Sequence, residues 1–202
     1  LKLLDRLFQT KDVVILTGGS MMYVDAVCKG IDDIPSVDDN IRKTLQERFD
    51  KEGLSGISKE LALLDPDYYA IVDKNNHKRI IHALEICLST GKPYSSFRKN
   101  TTKERPFRII KIGLNMDRQR LYERIDLRVE QMIHDGLIQE ALNVYEYKDL
   151  NALNTVGYKE TFEYLDGLCT LENAIFRIKS NTHKYCRKQL TWFRRDPNIH
   201  WF

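Results

Sequence analysis

The sequence predicts an α/β protein: part of a parallel sheet, interrupted by a helical lobe and followed by a run of helices. Three observations carry this. Residues 13–16 (VVIL) form a short β-branched run that enters a glycine turn, the pattern of a buried strand. Residues 107–116 alternate as a second strand through Ile110, Ile112 and Leu114. Almost everything between and after these two runs repeats with helical spacing.

Taken in order, residues 1–8 (LKLLDRLF) read as the last turns of an amphipathic helix, and residues 21–27 as another after the turn. Four acids within residues 32–39, together with Pro35, mark a loop. Residues 40–51 then place Ile41, Leu45 and Phe49 on one helix face, with Asp38 or Asp39 as N-cap and Gly53 and Gly56 ending the helix. A short helix over 58–64 stops before Asp65-Pro66, because the residue preceding proline disfavours helical torsions. Residues 76–89 bury Ile80, Ile81, Leu84, Cys87 and Leu88 and stop at Gly91 and Pro93. Residues 94–106 are polar and irregular. After the second strand come helices over 118–133, 137–147, 158–165 and 171 to about 194. The order strand, helices, strand, helices divides the chain into a core (1–35 and 101–202) and a helical insertion (36–100). Two strands do not make a stable sheet, so their neighbours are expected before Leu1. The opening on Leu1 rather than Met fits a piece of a longer chain.

Composition removes several function classes. No uncharged apolar run approaches the ~20 residues of a membrane-spanning helix. Cys28, Cys87, Cys169 and Cys186 are scattered and form no C-x-x-C pair, which argues against structural zinc and a disulfide scaffold and for a reducing, cytoplasmic location. The net charge of +3 hides an asymmetry. Residues 173–195 hold seven Lys or Arg, with Tyr185, Trp192 and Phe193 among them, and no acid. Such a segment is either a solvated helix face or a surface for a polyanion, since phosphates take cations and bases take flat apolar faces.

Individual motifs leave alternatives open. Thr17-Gly18-Gly19-Ser20 after a strand is either a phosphate-facing turn or a structural one, and without a lysine it is not a P-loop. Lys78, Arg79 and His82 near a helix start can contact phosphate or simply face water. Arg124 and Arg128, four apart, can clamp a diphosphate or pair with Glu123 and Asp126. No histidine set has metal-ligand spacing, and no nucleophile or general base stands out.

Read together, these motifs resemble the tRNA dimethylallyltransferases (tRNA isopentenylpyrophosphate transferases). The resemblance runs through Gly18-Gly19-Ser20-x-x-Tyr23-Val24, residues 38–42, Asp65-Pro66, residues 75–85 (NNHKRIIHALE) and Thr90-Gly91-Lys92-Pro93. It continues through residues 121–136 (LYERIDLRVEQMIHDG), Val156-Gly157-Tyr158-Lys159-Glu160 and residues 182–194 (THKYCRKQLTWFR), in the family's order over nearly the whole chain.

The resemblance implies a P-loop NTPase-like sheet core with a mostly α-helical insertion for the tRNA anticodon stem-loop. It implies transfer of a dimethylallyl group from dimethylallyl diphosphate, with Mg²⁺, to N6 of adenosine 37 in tRNAs reading codons that begin with U. It further implies a monomeric protein without membrane attachment. By position, Ser20 replaces the family's usual Thr, and Arg128 and Arg124 face the leaving diphosphate. Arg42, Lys78, Arg79 and His82 contact tRNA from the insertion; Asn154, Lys159, Arg187, Lys188, Gln189 and Arg194 line the tRNA side. His82 stands where Arg is usual, Asn76 where Asp is usual and His183 where Arg is usual. The family's P-loop, which holds most of the Mg²⁺ site, and its catalytic Asp have no counterpart here and are expected before Leu1. The 202 residues alone are therefore expected to be inactive. The competing expectations are a non-catalytic RNA-binding module and an adenylate prenyltransferase; the insertion and the acid-free helix argue against the latter, because a mononucleotide needs neither.

Overall fold

The computed structural model describes residues 1–202 and divides into two compact units: residues 1–10 with 22–107, and residues 11–21 with 108–202. It is mostly helical, with a single two-stranded parallel sheet.

In the first unit, α1 (Lys2–Phe8) places Phe8 against Phe107, ring centroids 5.2 Å apart. Most of α2 (Met21–Cys28) follows. The helix α3 (Asp39–Leu64) starts where expected, with the Asp38 carboxylate accepting from the Asn40 N–H. The two helices expected over 40–51 and 58–64 are continuous apart from one break at Gly53, whose positive φ of 69° is open to glycine and costly for other residues. A short helix absent from the sequence reading, α4 (Pro66–Ile71), begins at the proline. Proline is suited to the first helical position, where its missing N–H is not needed. The buried Asp65 carboxylate caps α4 through the Tyr68 N–H and also accepts from the Ser95 N–H and hydroxyl. The residue expected only to stop one helix thus caps the next and pins a distant turn.

Helix α5 (His77–Thr90) packs along α3, with Leu45, Ile57, Leu61, Ile80, Leu84 and Ile86 all but inaccessible to solvent between them and their neighbours. Asn76 caps its start and Gly91, at φ 67°, its end. Burying a leucine or isoleucine side chain contributes about 1.5–3 kcal/mol, so this layer is the main source of stability in the first unit.

The second unit departs further from expectation. Residues 13–16 form no strand, and Val13 and Ile15 are exposed. A β-branched run becomes a strand only when another strand satisfies its backbone groups, and no segment pairs with it. The strand expected over 107–116 contracts to β1 (Lys111–Gly113) for the same reason. Its partner, β2 (Ile199–Trp201), is three residues long and was not anticipated, although Ile199, Trp201 and Phe202 are strand-favouring types. The two run parallel with Lys111 opposite Ile199 and Gly113 opposite Trp201. A Cβ on Gly113 would lie 2.6 Å from the Trp201 ring, so glycine is what lets the indole close over β1.

Four helices complete the unit: α6 (Arg118–His134), α7 (Leu137–Asn143), α8 (Tyr158–Leu165) and α9 (Leu171–Phe193). Val129 of α6, Leu137 of α7 and Ile178 of α9 form their buried centre, with Met132, Ile133 and Ile175 around it. Helix α7 ends four residues short of the expected Tyr147, and Tyr145–Tyr147 form a 3₁₀ turn instead. There Lys148 Nζ sits 2.6 Å from Asp166, which also accepts from the Tyr145 hydroxyl.

Candidate active site and nucleic-acid interface

Within the second unit, the glycine turn and the acid-free helix meet. Gln189 of α9 donates from Nε2 to the Gly19 carbonyl at 2.7 Å, across 170 positions of sequence. Gly18 holds φ 144°, a torsion that L side chains rarely adopt. Ser20, exposed, is therefore carried by a turn seated on α9.

Arg124 and Arg128 are both exposed on α6. Their neighbouring acids are engaged elsewhere. Glu123 accepts from Gln119 at 3.1 Å, and Asp126 Oδ1 lies 2.9 Å from His183 Nε2, close enough for an ion pair although poorly angled for a hydrogen bond. Arg124 makes one weak contact, to the Met116 sulfur at 3.7 Å, and Arg128 forms no ion pair. Of the two sequence alternatives, pairing with Glu123 and Asp126 is thus not adopted, and both guanidiniums remain available to an anion.

Beside them, Tyr122 collects positive charge. Its hydroxyl accepts from Arg187 at 3.0 Å and Arg118 at 3.2 Å, and its ring stacks on His183 with centroids 4.1 Å apart. The Arg187 hydrogen bond, followed by that from Arg118, holds the phenol below its ordinary pKa. Neither Tyr122 nor Arg118 was singled out from sequence; Tyr122 reads there as one more residue of an amphipathic helix.

The charge on α9 divides along its length. Arg177 pairs with Glu163 of α8, and Lys179 with Glu130 of α6 at 2.7 Å. Lys184, Arg187, Lys188, Arg194 and Arg195 have no carboxylate partner; Lys184 reaches only the Asn181 amide, and Arg195 lies over the Trp192 ring. The acid-free stretch is therefore neutralised at its start by neighbouring helices and left cationic over its last turns. Lys188 and Arg194 are exposed there.

Lys159 and Asn154 are exposed on the V-G-Y-K-E side. The conspicuous member of that motif is Glu160, which is 2% exposed. Its carboxylate accepts from the Gly157 N–H at 2.8 Å, capping α8, and from Asn181 Nδ2 at 2.6 Å, tying α8 to α9. Gly157 takes φ 105° to make this possible.

In the first unit, Arg42 and His82 converge on one carboxylate that the sequence reading passed over. Glu85 is 3% exposed, accepts from Arg42 Nε at 3.0 Å and lies 3.4 Å from His82 Nδ1. The hydrogen bond to Glu85 raises Arg42 above even its usual arginine pKa. The available signal was a glutamate on the apolar stripe of α5, three residues after His82. Lys78 and Arg79 lie at the exposed start of the same helix.

No cluster of three or more His, Cys, Asp or Glu side chains is arranged to hold a metal ion. No helix is long and apolar enough to cross a membrane.

Comparison with known proteins bears on this arrangement. The family model described as IPP transferase matches residues 1–196. A tRNA dimethylallyltransferase 1 of Phocaeicola vulgatus is 62% identical over 199 residues, which cover 98% of this chain and 66% of that protein. The solved tRNA isopentenylpyrophosphate transferase of Bacillus halodurans is 38% identical, with a TM-score of 0.52 over 90% of this chain and 56% of its own. A eukaryotic dimethylallyltransferase acting on tRNA, at 24% identity, shares the fold with a TM-score of 0.75, over all of this chain and 54% of its own. The chain thus spans about 66% of the length of the first curated relative.

Proposed function

This chain belongs to the IPP transferase family, and from that premise we propose that the full-length protein carrying it transfers a dimethylallyl group from dimethylallyl diphosphate to N6 of adenosine 37, in tRNAs reading codons that begin with U. The observation that carries the proposal is the seating of the Gly18-Gly19-Ser20 turn on α9, whose last turns hold unneutralised cations.

In the reaction the N6 amine bonds to the allylic carbon, the carbon–oxygen bond to diphosphate breaks, and the N6 proton passes to the family's catalytic Asp, which lies outside these residues. Negative charge grows on the leaving diphosphate, and preorganised cations stabilise it. Arg124 and Arg128, free of carboxylates, supply that charge. The Ser20 hydroxyl orients the acceptor amine beside the leaving group. The adenine leaves its stack to be reached. Arg187, Lys188 and Arg194 of α9, with Asn154 and Lys159, hold the anticodon stem-loop, mostly through phosphates and shape. Residues 36–100 form the inserted lobe, which grips the same RNA through Arg42, Lys78, Arg79 and His82. Glu85 serves this grip indirectly, by fixing the directions of Arg42 and His82. The protein works as a monomer in the cytoplasm and uses dimethylallyl diphosphate with Mg²⁺ held mainly by the family's P-loop, outside these 202 residues.

The test is an assay of the full-length protein with dimethylallyl diphosphate, Mg²⁺ and unmodified tRNA, followed by mass analysis of the nucleosides. Prenylated adenosine at position 37 is the expected product. Binding of tRNA without transfer would mark an RNA-binding module, and prenylated mononucleotide without modified tRNA would mark an adenylate prenyltransferase; either result overturns the proposal.

A further inference from the structure

We infer that Gln189 is a positioning residue for the catalytic turn and makes no contact with tRNA. The inference rests on the proposed transfer reaction and changes the role that resemblance implies for this side chain.

Three features of the second unit carry it. The first is the Gln189 Nε2 hydrogen bond to the Gly19 carbonyl at 2.7 Å. The second is closeness. A Cβ on Gly19 would lie 2.0 Å from Gln189 Nε2, 2.8 Å from Cδ and 3.2 Å from Oε1, so the whole amide group lies across the Gly19 Cα. The two glycines therefore do different work: Gly18 for its torsion, Gly19 for the space the amide occupies. The third is the turn's lack of other support. Residues 11–20 join no strand, and no other hydrogen bond ties them to the rest of the unit. Val13, Ile15 and Leu16, which lead into the turn, are exposed.

On the adjoining helical positions Arg187 and Lys188 are exposed, whereas Gln189 is half-buried against the turn. The Arg187-Lys188-Gln189 triplet thus separates into an arginine engaged by Tyr122 of α6, an exposed lysine and an amide facing the turn. Gln189 sets the Ser20 hydroxyl by holding the carbonyl of the residue before it. A loosened turn lets that hydroxyl wander, and misplacement of a catalytic group by an ångström lowers turnover strongly.

The experiment uses the full-length protein and compares Gln189→Ala, Gln189→Met and Lys188→Ala by ¹⁵N relaxation, amide hydrogen exchange, tRNA binding and steady-state kinetics. Gln189→Met keeps the side-chain volume and removes the donor. Both Gln189 variants are expected to lower the backbone order parameters of Gly19 and Ser20 into the flexible range, because the hydrogen bond that holds the turn is gone. They are expected to lower kcat about tenfold and to leave the tRNA Kd within about twofold. Lys188→Ala is expected to do the reverse, weakening tRNA while leaving the order parameters of the turn unchanged. Gly19→Ala, whose new methyl displaces the amide, is expected to cost activity in the wild-type background and little more in Gln189→Ala, a non-additivity that marks direct coupling. Unchanged exchange in α8 identifies the variants as folded. Weakened tRNA binding with an undisturbed turn, or additive Gly19 and Gln189 effects, overturns the inference. If the wild-type protein modifies no tRNA, the reaction proposal fails on its own account, and the relaxation comparison still decides the role of Gln189.

Discussion

Replacing Glu160 by Ala removes a buried carboxylate that joins two helices, and the structure gives the cost. Two hydrogen bonds are lost, from the Gly157 N–H at 2.8 Å and from Asn181 Nδ2 at 2.6 Å. Hydrogen bonds to a charged group contribute about 1.5–3 kcal/mol each. Taking the low end for both gives about 3 kcal/mol. The negative charge in the first turn of α8 adds about 0.5 kcal/mol through the helix dipole. The opening of α8 should therefore become easier by roughly 3.5 kcal/mol, which at 1.4 kcal/mol per tenfold is an increase of about 300-fold in the exchange rates of α8 amides. The assay is native-state hydrogen exchange on the full-length protein, with Glu163→Ala as the comparison. Glu163 pairs with Arg177 nearer the surface and supplies no cap, so its loss costs at most about 1 kcal/mol, or fivefold. If Glu160→Ala accelerates exchange no more than Glu163→Ala does, Glu160 is not the clamp between α8 and α9, and the reasoning fails.

Leu84→Ala in the α3–α5 layer, at a fully buried position, should destabilise the first unit by about 2–5 kcal/mol, measured by denaturant unfolding. The Tyr122 phenol should ionise below its ordinary value and move back up in Arg187→Ala, followed by phenolate ultraviolet absorbance against Tyr122→Phe. Because folding lowers this pKa, folding favours the phenolate; the group adds stability only as pH rises through its folded value towards the ordinary one near 10, and none at neutral pH. Lys188→Ala and Arg194→Ala should each flatten the dependence of log Kd for an anticodon stem-loop on log salt by about 0.7–1, read from binding titrations over a salt series; an unchanged slope removes that residue from the phosphate contacts.

Much of the helical layout is legible because its signals are local. The apolar stripe of α5, the Asp38 and Asn76 caps and the Gly91 stop all act within a few residues of themselves. Asp65-Pro66 shows where locality misleads: proline blocks the helix before it and starts the one after, and the sequence reading used only the first effect. The strands were least legible. A strand exists by pairing, and the partner of residues 111–113 lies at residues 199–201, too short and too distant to be recognised alone. Residues 13–16 carry strand character without a partner and stay unpaired.

The candidate site divides in the same way. The turn with Ser20, the arginine pair on α6 and the cationic end of α9 stand out by residue type and spacing, but only the family resemblance gives them roles. Which charges are available cannot be read that way. Asp126 turns to His183 rather than to Arg124 or Arg128, and Glu130 and Glu163 neutralise only the start of α9. Glu160 looks like an ordinary surface acid, and Glu85 like an acid out of place on an apolar stripe, until burial makes each an anchor for groups from another element. Local periodicity and the chemical inventory were settled by the order of amino acids, since they need only neighbours along the chain. The pairing of charges, and the seating of Gly19 under Gln189, were settled by tertiary packing, because a contact across 170 positions depends on where a helix and a turn come to rest.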